Sequence, residues 1–238
     1  MTDYDVRAQI ALNDCDREPI HIPQAIQGHG LLLVLNLDAL TLEQGAGAIE
    51  DLTGQTRWIG LPIADLLGEV VGRRLRDMAA IREAGFAGRW RATNRLEYDV
   101  VVYYAPAAKA AGTEAASALR MVVEVEQSSQ QARLGVELIT RLDTAGAALE
   151  RSATVQGVCE RAADAFRSLT GFERVMIYRF LDDEAGQVVA ESRAGDATSF
   201  LNHHFPATDI PRQARALYLR NPVRVIPDTR YTPQPLRP

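Results

Sequence analysis

The chain is poor in the features that name most functions quickly. Its 238 residues hold two cysteines, Cys15 and Cys159. Two so widely spaced do not form a disulfide framework, and a reducing, cytoplasmic compartment is expected. No apolar run approaches the ~20 residues of a membrane-spanning helix. The start, MTDYDVRAQ, carries acids and no apolar core, so no signal peptide is evident. A net charge of −5 with no basic stripe argues against nucleic acid as a partner. There is no GxGxxG, no P-loop and no GxSxG. His203 and His204 are adjacent, so an extended backbone would turn them to opposite sides, and no second cluster of metal ligands accompanies them. Asp182, Asp183 and Glu184 read as a solvated turn.

What is present is a globular composition, 47% hydrophobic and 24% charged. Residues 1–19 are polar and aperiodic and read as an arm. Leu31–Leu37 is a continuous apolar run, expected to be a buried strand. Gly45 to Gly85 breaks into short helical pieces. Arg89–Ala105 and Ala118–Glu126 are rich in β-branched and aromatic residues and read as strands, with an Ala/Gly-rich loop between them. This order of strand, small helices and strands is α+β.

A helical region follows. Leu134, Leu138, Leu142, Ala145 and Leu149 step at helical spacing. In 155–169, Val155, Val158, Cys159, Ala162, Phe166 and Leu169 share a face, which predicts that Cys159 is buried as a packing residue; Gly171 stands at the C-cap. Arg174–Leu181 and Gln187–Arg193 read as a hairpin around Gly186. The sequence SSQQ, within 127–131, marks the boundary.

Two separated motifs carry a resemblance. The first is CDREPIHIPQAIQGHG, with Cys15 ahead of His21, Pro23, Ile26, Gln27, His29 and Gly30. The second is FPATDIPRQARALYLRNPVR, running from Phe205 to Arg224. Together they resemble the bacteriophytochromes, with Gly28 where that family usually has proline. The resemblance implies a PAS domain over 20–126 and the N-terminal part of a GAF domain over 127–238. A figure-of-eight knot is expected in the complete family fold. It also implies a linear tetrapyrrole, biliverdin, bound as a thioether to Cys15, with light sensed by isomerisation of the bilin.

The implied ligand contacts are Asp209, Ile210 and Pro211 beside the pyrrole nitrogens. Tyr178, Phe200, Phe205 and Tyr218 would surround the outer ring, and Arg224 would hold a propionate.

Each of these residues has a plainer reading. Asp209 suits a helix N-cap, with proline in the first turn of the helix containing QARALYLR. Tyr178 and Tyr218 suit half-buried core, and Arg224 a surface arginine. Asp14 and Asp16 flank Cys15 and disfavour its thiolate, so attachment there would depend on a ligand already held close.

The chain reaches Pro238 before the histidines and second propionate partner of such a pocket. It carries no motif for phosphoryl transfer, so a sensory fragment is expected rather than an enzyme. The partners implied are the bilin, a second copy through the helical faces, and further GAF and signalling segments in cis or in trans. Two alternatives stand beside this: a pigment-free PAS/GAF dimerisation or interaction module, and the sensory end of a histidine kinase.

Overall fold

The computed structural model describes residues 20, 22, 24–106, 119–128, 135–221 and 223–238. Cys15, His21, Pro23 and Leu134 lie outside them, as does most of the Ala/Gly-rich loop. The contacts divide the chain into two compact units. One gathers 22–130 together with 224–238, and the other is built on 131–223.

The first unit is a five-stranded antiparallel sheet with helices on one face. Its strands are β2 (Gly30–Asn36), β3 (Leu42–Ala46), β4 (Gly85–Arg91), β5 (Glu97–Pro106) and β6 (Leu119–Gln127), in the order β3-β2-β6-β5-β4. Leu31, Leu33 and Leu35 pair with Val125, Val123 and Met121, and Val100 and Val102 continue the same row on β5. All of these are buried. The run at Leu31–Leu37 suggested a strand buried throughout, but Leu32 and Val34 are only half-buried. The pleat turns alternate side chains to opposite faces, and helices cover one face of this sheet.

The cover comes from α1 (Ile49–Thr53), α2 (Ile63–Leu67) and α3 (Glu69–Ile81). Val71, Leu75 and Met78 step along one side of α3, and all three are buried with Ile49, Ile63, Leu66 and Leu67. Each fully buried side chain of this size contributes about 1.5–3 kcal/mol before entropy is counted.

A strap from the C-terminal end completes this unit. The short strand β1 (Ala25–Ile26) pairs antiparallel with β10 (Gln234–Pro235). Gln27 donates from Nε2 to the Val225 carbonyl at 2.7 Å. Arg237 and Gly45 exchange backbone hydrogen bonds at 2.8 and 2.9 Å.

The Arg237 guanidinium forks onto Glu50, at 2.8 and 3.1 Å, and lies 5.1 Å from the centre of the Trp58 ring. Trp58 also donates to Glu50, at 2.9 Å. Hydrogen bonding from Arg237, reinforced by Trp58, outweighs partial burial and brings the Glu50 carboxyl down to about 2. A carboxylate with a depressed pKa stabilises the fold above its unfolded value and loses that contribution as pH falls. The clasp should therefore weaken between about pH 4.5 and pH 2. Arg237→Ala is expected to remove that acid sensitivity and to speed hydrogen exchange at Leu236 and Gly45, at a cost of about 1 kcal/mol because the pair is part-exposed. Unchanged exchange at those amides would show that the backbone pairing holds the strap unaided.

The second unit carries two helices, α4 (Gly135–Glu150) and α5 (Val155–Thr170), and a three-stranded sheet. Thr154 caps α5 by accepting from the Gly157 N–H, and Gly171 ends it with a left-handed φ of 74°. The packing face of α5 differs from the expected stripe. Ala163 is buried, Cys159 is half-buried rather than buried, and Val155, Val158 and Phe166 are exposed. Apolar spacing marks a stripe, but the small side of α5 is what approaches the sheet closely. On α4, Val136, Leu138, Ile139 and Leu142 are likewise exposed. Among the described residues, the buried apolar side chains of this unit are Ala163, Val188 and Ala190.

Candidate functional site

The sheet of the second unit consists of β7 (Arg174–Phe180), β8 (Gly186–Arg193) and β9 (His204–Phe205), in that order. Its register sets Gly186 opposite Phe180 on one side and Phe205 on the other. A bulge between Ile177 and Tyr178 then brings Tyr178 opposite Val188. The result is a row of rings. Tyr178 meets Phe180 edge-on at 5.3 Å and Phe205 at 6.1 Å, and Phe205 meets Phe200 at 6.2 Å. Three of the four expected aromatics, Tyr178, Phe200 and Phe205, thus stand together. Phe180 was missed, although its place two residues after Tyr178 in a strand was a sufficient signal. Tyr218 lies 43% exposed at the end of α6 (Arg212–Tyr218).

The link from β9 to α6 is a single turn of 3₁₀ helix over Ala207–Asp209, followed by Ile210 and Pro211 in extended conformation. This corrects the capping expectation. The N-cap of α6 is Pro211, with no side-chain cap, and Asp209 stands inside the preceding turn. Proline after Ile210 holds the chain extended until the helix starts, so Asp209 falls too early to reach the first helical N–H groups. Asp209 is exposed. Burial, with the Asp209 charge adding to it, raises the Tyr178 hydroxyl above the usual phenol range, while Arg215 opposes both. Asp209→Asn should therefore change thermal stability by under about 0.5 kcal/mol, the usual range for an exposed site. A larger loss in thermal unfolding would mean that the carboxylate has a structural partner.

Two ion-pair groups hold the row in place. Arg215 donates to the Glu184 carbonyl at 2.9 Å, pairs with its carboxylate at 2.8 Å, and stands 5.7 Å from the centre of the Phe180 ring. Glu184 is thus more than a solvated turn residue, since it ties α6 to the hairpin. On the other side, Glu191 is only 3% exposed at its side chain. It accepts from Ser199 at 2.7 Å and from the Phe200 N–H at 3.2 Å, and pairs with Arg174 at 3.1 Å and Arg193 at 3.6 Å. Burial alone would raise the Glu191 carboxyl, but those hydrogen bonds and the two guanidiniums hold it below the ordinary range. Arg174 also lies 4.4 Å from the centre of the Phe200 ring and donates to the Thr198 carbonyl. No motif marked Glu191; a lone acid in an apolar strand was the available hint.

Arg224 belongs to the other compact unit and is exposed. Among the described residues no group of His, Cys, Asp or Glu could hold a metal ion, and no helix is long and apolar enough to cross a membrane. The arrangement suits a flat, conjugated ligand. It offers an aromatic wall for stacking and edge contacts, with a carboxylate at its rim.

A family described as a PAS fold matches residues 15–126. The bacteriophytochrome of Pseudomonas aeruginosa is 33% identical over 236 residues, covering 96% of this chain and 30% of that protein. Cyanobacterial phytochrome B of Nostoc is 31% identical, covering 100% of this chain and 31% of its own length. The chain therefore spans about a third of the length of these curated relatives. Among solved structures, the chromophore-binding domain of an unusual bacteriophytochrome from R. palustris superposes with a TM-score of 0.80 at 33% identity. That match covers 94% of this chain and 70% of the other. With the sheet topology, the aromatic row and the Asp209-Ile210-Pro211 turn, these likenesses establish that the chain belongs to the bacteriophytochrome family, as a PAS domain followed by part of a GAF domain.

Proposed function

We propose that the chain is the bilin-binding end of a red/far-red photoreceptor, taking biliverdin as a thioether at Cys15. The observation that carries this reading is the row Phe180–Tyr178–Phe205–Phe200 beside the Asp209-Ile210-Pro211 turn. Such a wall fits a conjugated tetrapyrrole, whose rings stack on or abut aromatic faces. In this reading Tyr178, Phe200, Phe205 and Tyr218 bound the ring that turns. The Asp209 backbone accepts from the pyrrole N–H groups, with Ile210 and Pro211 fixing the approach. Arg224 offers the paired donors that suit a propionate carboxylate. Bound biliverdin would supply the visible absorption and the light-driven isomerisation; the chain supplies shape, polarity and attachment. Light sensing of this kind is binding and conformational change, so no enzymatic step is assigned to these residues. The setting is the cytoplasm, with further GAF and signalling segments as partners, in cis or in trans.

The test is to add biliverdin to the purified chain and record its spectrum before and after red light. A red absorption band that shifts reversibly on illumination is expected. A spectrum identical to free biliverdin would overturn the reading. It would favour the second one, a pigment-free interaction module that dimerises through α4 and α5. The exposed Val136, Leu138, Ile139, Leu142 and Phe166 speak for a covered face there.

A further inference from the structure

Gly186 opens β8 at a place where its lack of a side chain is used. Its backbone does not require glycine, because its φ lies outside the left-handed region. A glycine inside a strand normally weakens it, and so marks a bulge or a close approach. Here the close approach is a ring. A Cβ at Gly186 would stand 1.8 Å from Cζ and Oη of Tyr178 and 2.0 Å from its Cε1. Non-bonded carbons settle at about 3.5–4.0 Å. An alanine at 186 and the present Tyr178 rotamer therefore exclude each other. The neighbours leave the ring little room within the sheet. Phe180 closes one side at 5.3 Å and Phe205 the other at 6.1 Å, and these are the two residues paired with Gly186 across the strands. A displaced ring would have to lift away from β8.

We propose that Gly186 is a positioning residue for the ligand wall. Its bare backbone is the seat of the Tyr178 ring and sets how far that ring projects from the sheet. The ligand part of this inference rests on the bilin reading above, while the seat rests on the geometry around Gly186 alone. A methyl group at 186 lifts the ring by roughly 1.5–2 Å, the shortfall against van der Waals contact. That displacement narrows the space a rotating pyrrole ring needs. Gly186 thereby acts on the spectrum through Tyr178, without touching the ligand.

The experiment is a substitution cycle on the full chain: Gly186→Ala, Tyr178→Ser and the pair together. Each is followed by urea unfolding and by absorption with biliverdin. Gly186→Ala alone is expected to lower the folding equilibrium constant at least tenfold and to shift or weaken the red band. In the Tyr178→Ser background, where the ring is gone, the same change should have little effect on either readout. Equal effects of Gly186→Ala in both backgrounds would overturn the seat. Coupling in unfolding without coupling in the spectrum would make Gly186 a packing glycine only and overturn its ligand role. If the unaltered chain takes up no biliverdin, the bilin reading falls and takes the ligand role with it; the unfolding cycle then decides the seat by itself.

Discussion

Replacing Cys15 by serine should abolish all pigment that survives denaturation, while Cys159→Ser should leave it in place. The two thiols differ in setting. Cys159 is half-buried on α5, a helix of the second unit. It is held there by packing and offers no mobile approach to a ligand. Cys15 sits in a polar stretch between Asp14 and Asp16. Neighbouring carboxylates raise a thiol pKa, so its reactivity must come from proximity to a bound ligand rather than from a ready thiolate. Well-oriented intramolecular reactions reach effective concentrations on the order of 10⁵ M or more, enough to offset a weak nucleophile. The measurement is the colour or zinc-induced fluorescence of the chain on a denaturing gel after incubation with biliverdin. Pigment retained by Cys15→Ser and lost by Cys159→Ser would reverse the assignment.

Removing the Glu191 carboxylate should be the most damaging single change to the second unit. Its side chain is nearly inaccessible, and four groups converge on it: Ser199, the Phe200 N–H, Arg174 and Arg193. Deleting one partner of a buried pair costs about 3–5 kcal/mol when the other charge is stranded. Arg174 and Arg193 are a quarter to a third exposed and can be partly rehydrated, so about 2–3 kcal/mol is expected for Glu191→Ala. Glu191→Gln keeps the shape and some hydrogen bonds and should cost less. The carboxyl is held below its unfolded pKa, so its contribution is present above the ordinary carboxylate range and is lost as pH falls through the lowered value. Urea unfolding of both variants between pH 3 and pH 7 checks this. A stability gap between wild type and Glu191→Gln that fails to narrow in acid would show that charge is not what holds the site. The same variants should loosen Phe200, whose N–H is bound to Glu191 and whose ring lies under Arg174.

The strands of the first unit were legible from their apolar and β-branched composition, whereas the side chains that face the core were set by the pleat. Leu31, Leu33 and Leu35 on β2 and Val100 and Val102 on β5 follow the two-residue period of a pleat covered on one face. Strand β3 was not legible: LEQGA is short and polar, and it becomes a strand by pairing with β2. The strap over 224–238 was foreshadowed only by the family resemblance, whose figure-of-eight knot brings a later loop to the N-terminal segment. Its pairing with β1 joins residues some 200 apart, and no local pattern encodes a partner at that distance. On α5 the apolar stripe pointed to Phe166 and Val158, whereas close approach to the sheet selected Ala163. Periodicity reports which residues could be buried, and the shape of the neighbouring element decides which are.

The same division runs through the site. By itself the sequence determined the α+β order, the family resemblance, and the residue types of an aromatic wall with an Asp-Ile-Pro turn. These depend on local composition and spacing, which a chain carries whatever its fold. Only the tertiary structure decided that Asp209 precedes the helix cap, that Glu184 and Glu191 anchor the two ends of the ring row, and that Tyr178 lies on Gly186. Each of these turns on distances of a few ångströms between separate strands, set by register, a bulge and the absence of one Cβ. Such distances exist only once the strands have paired.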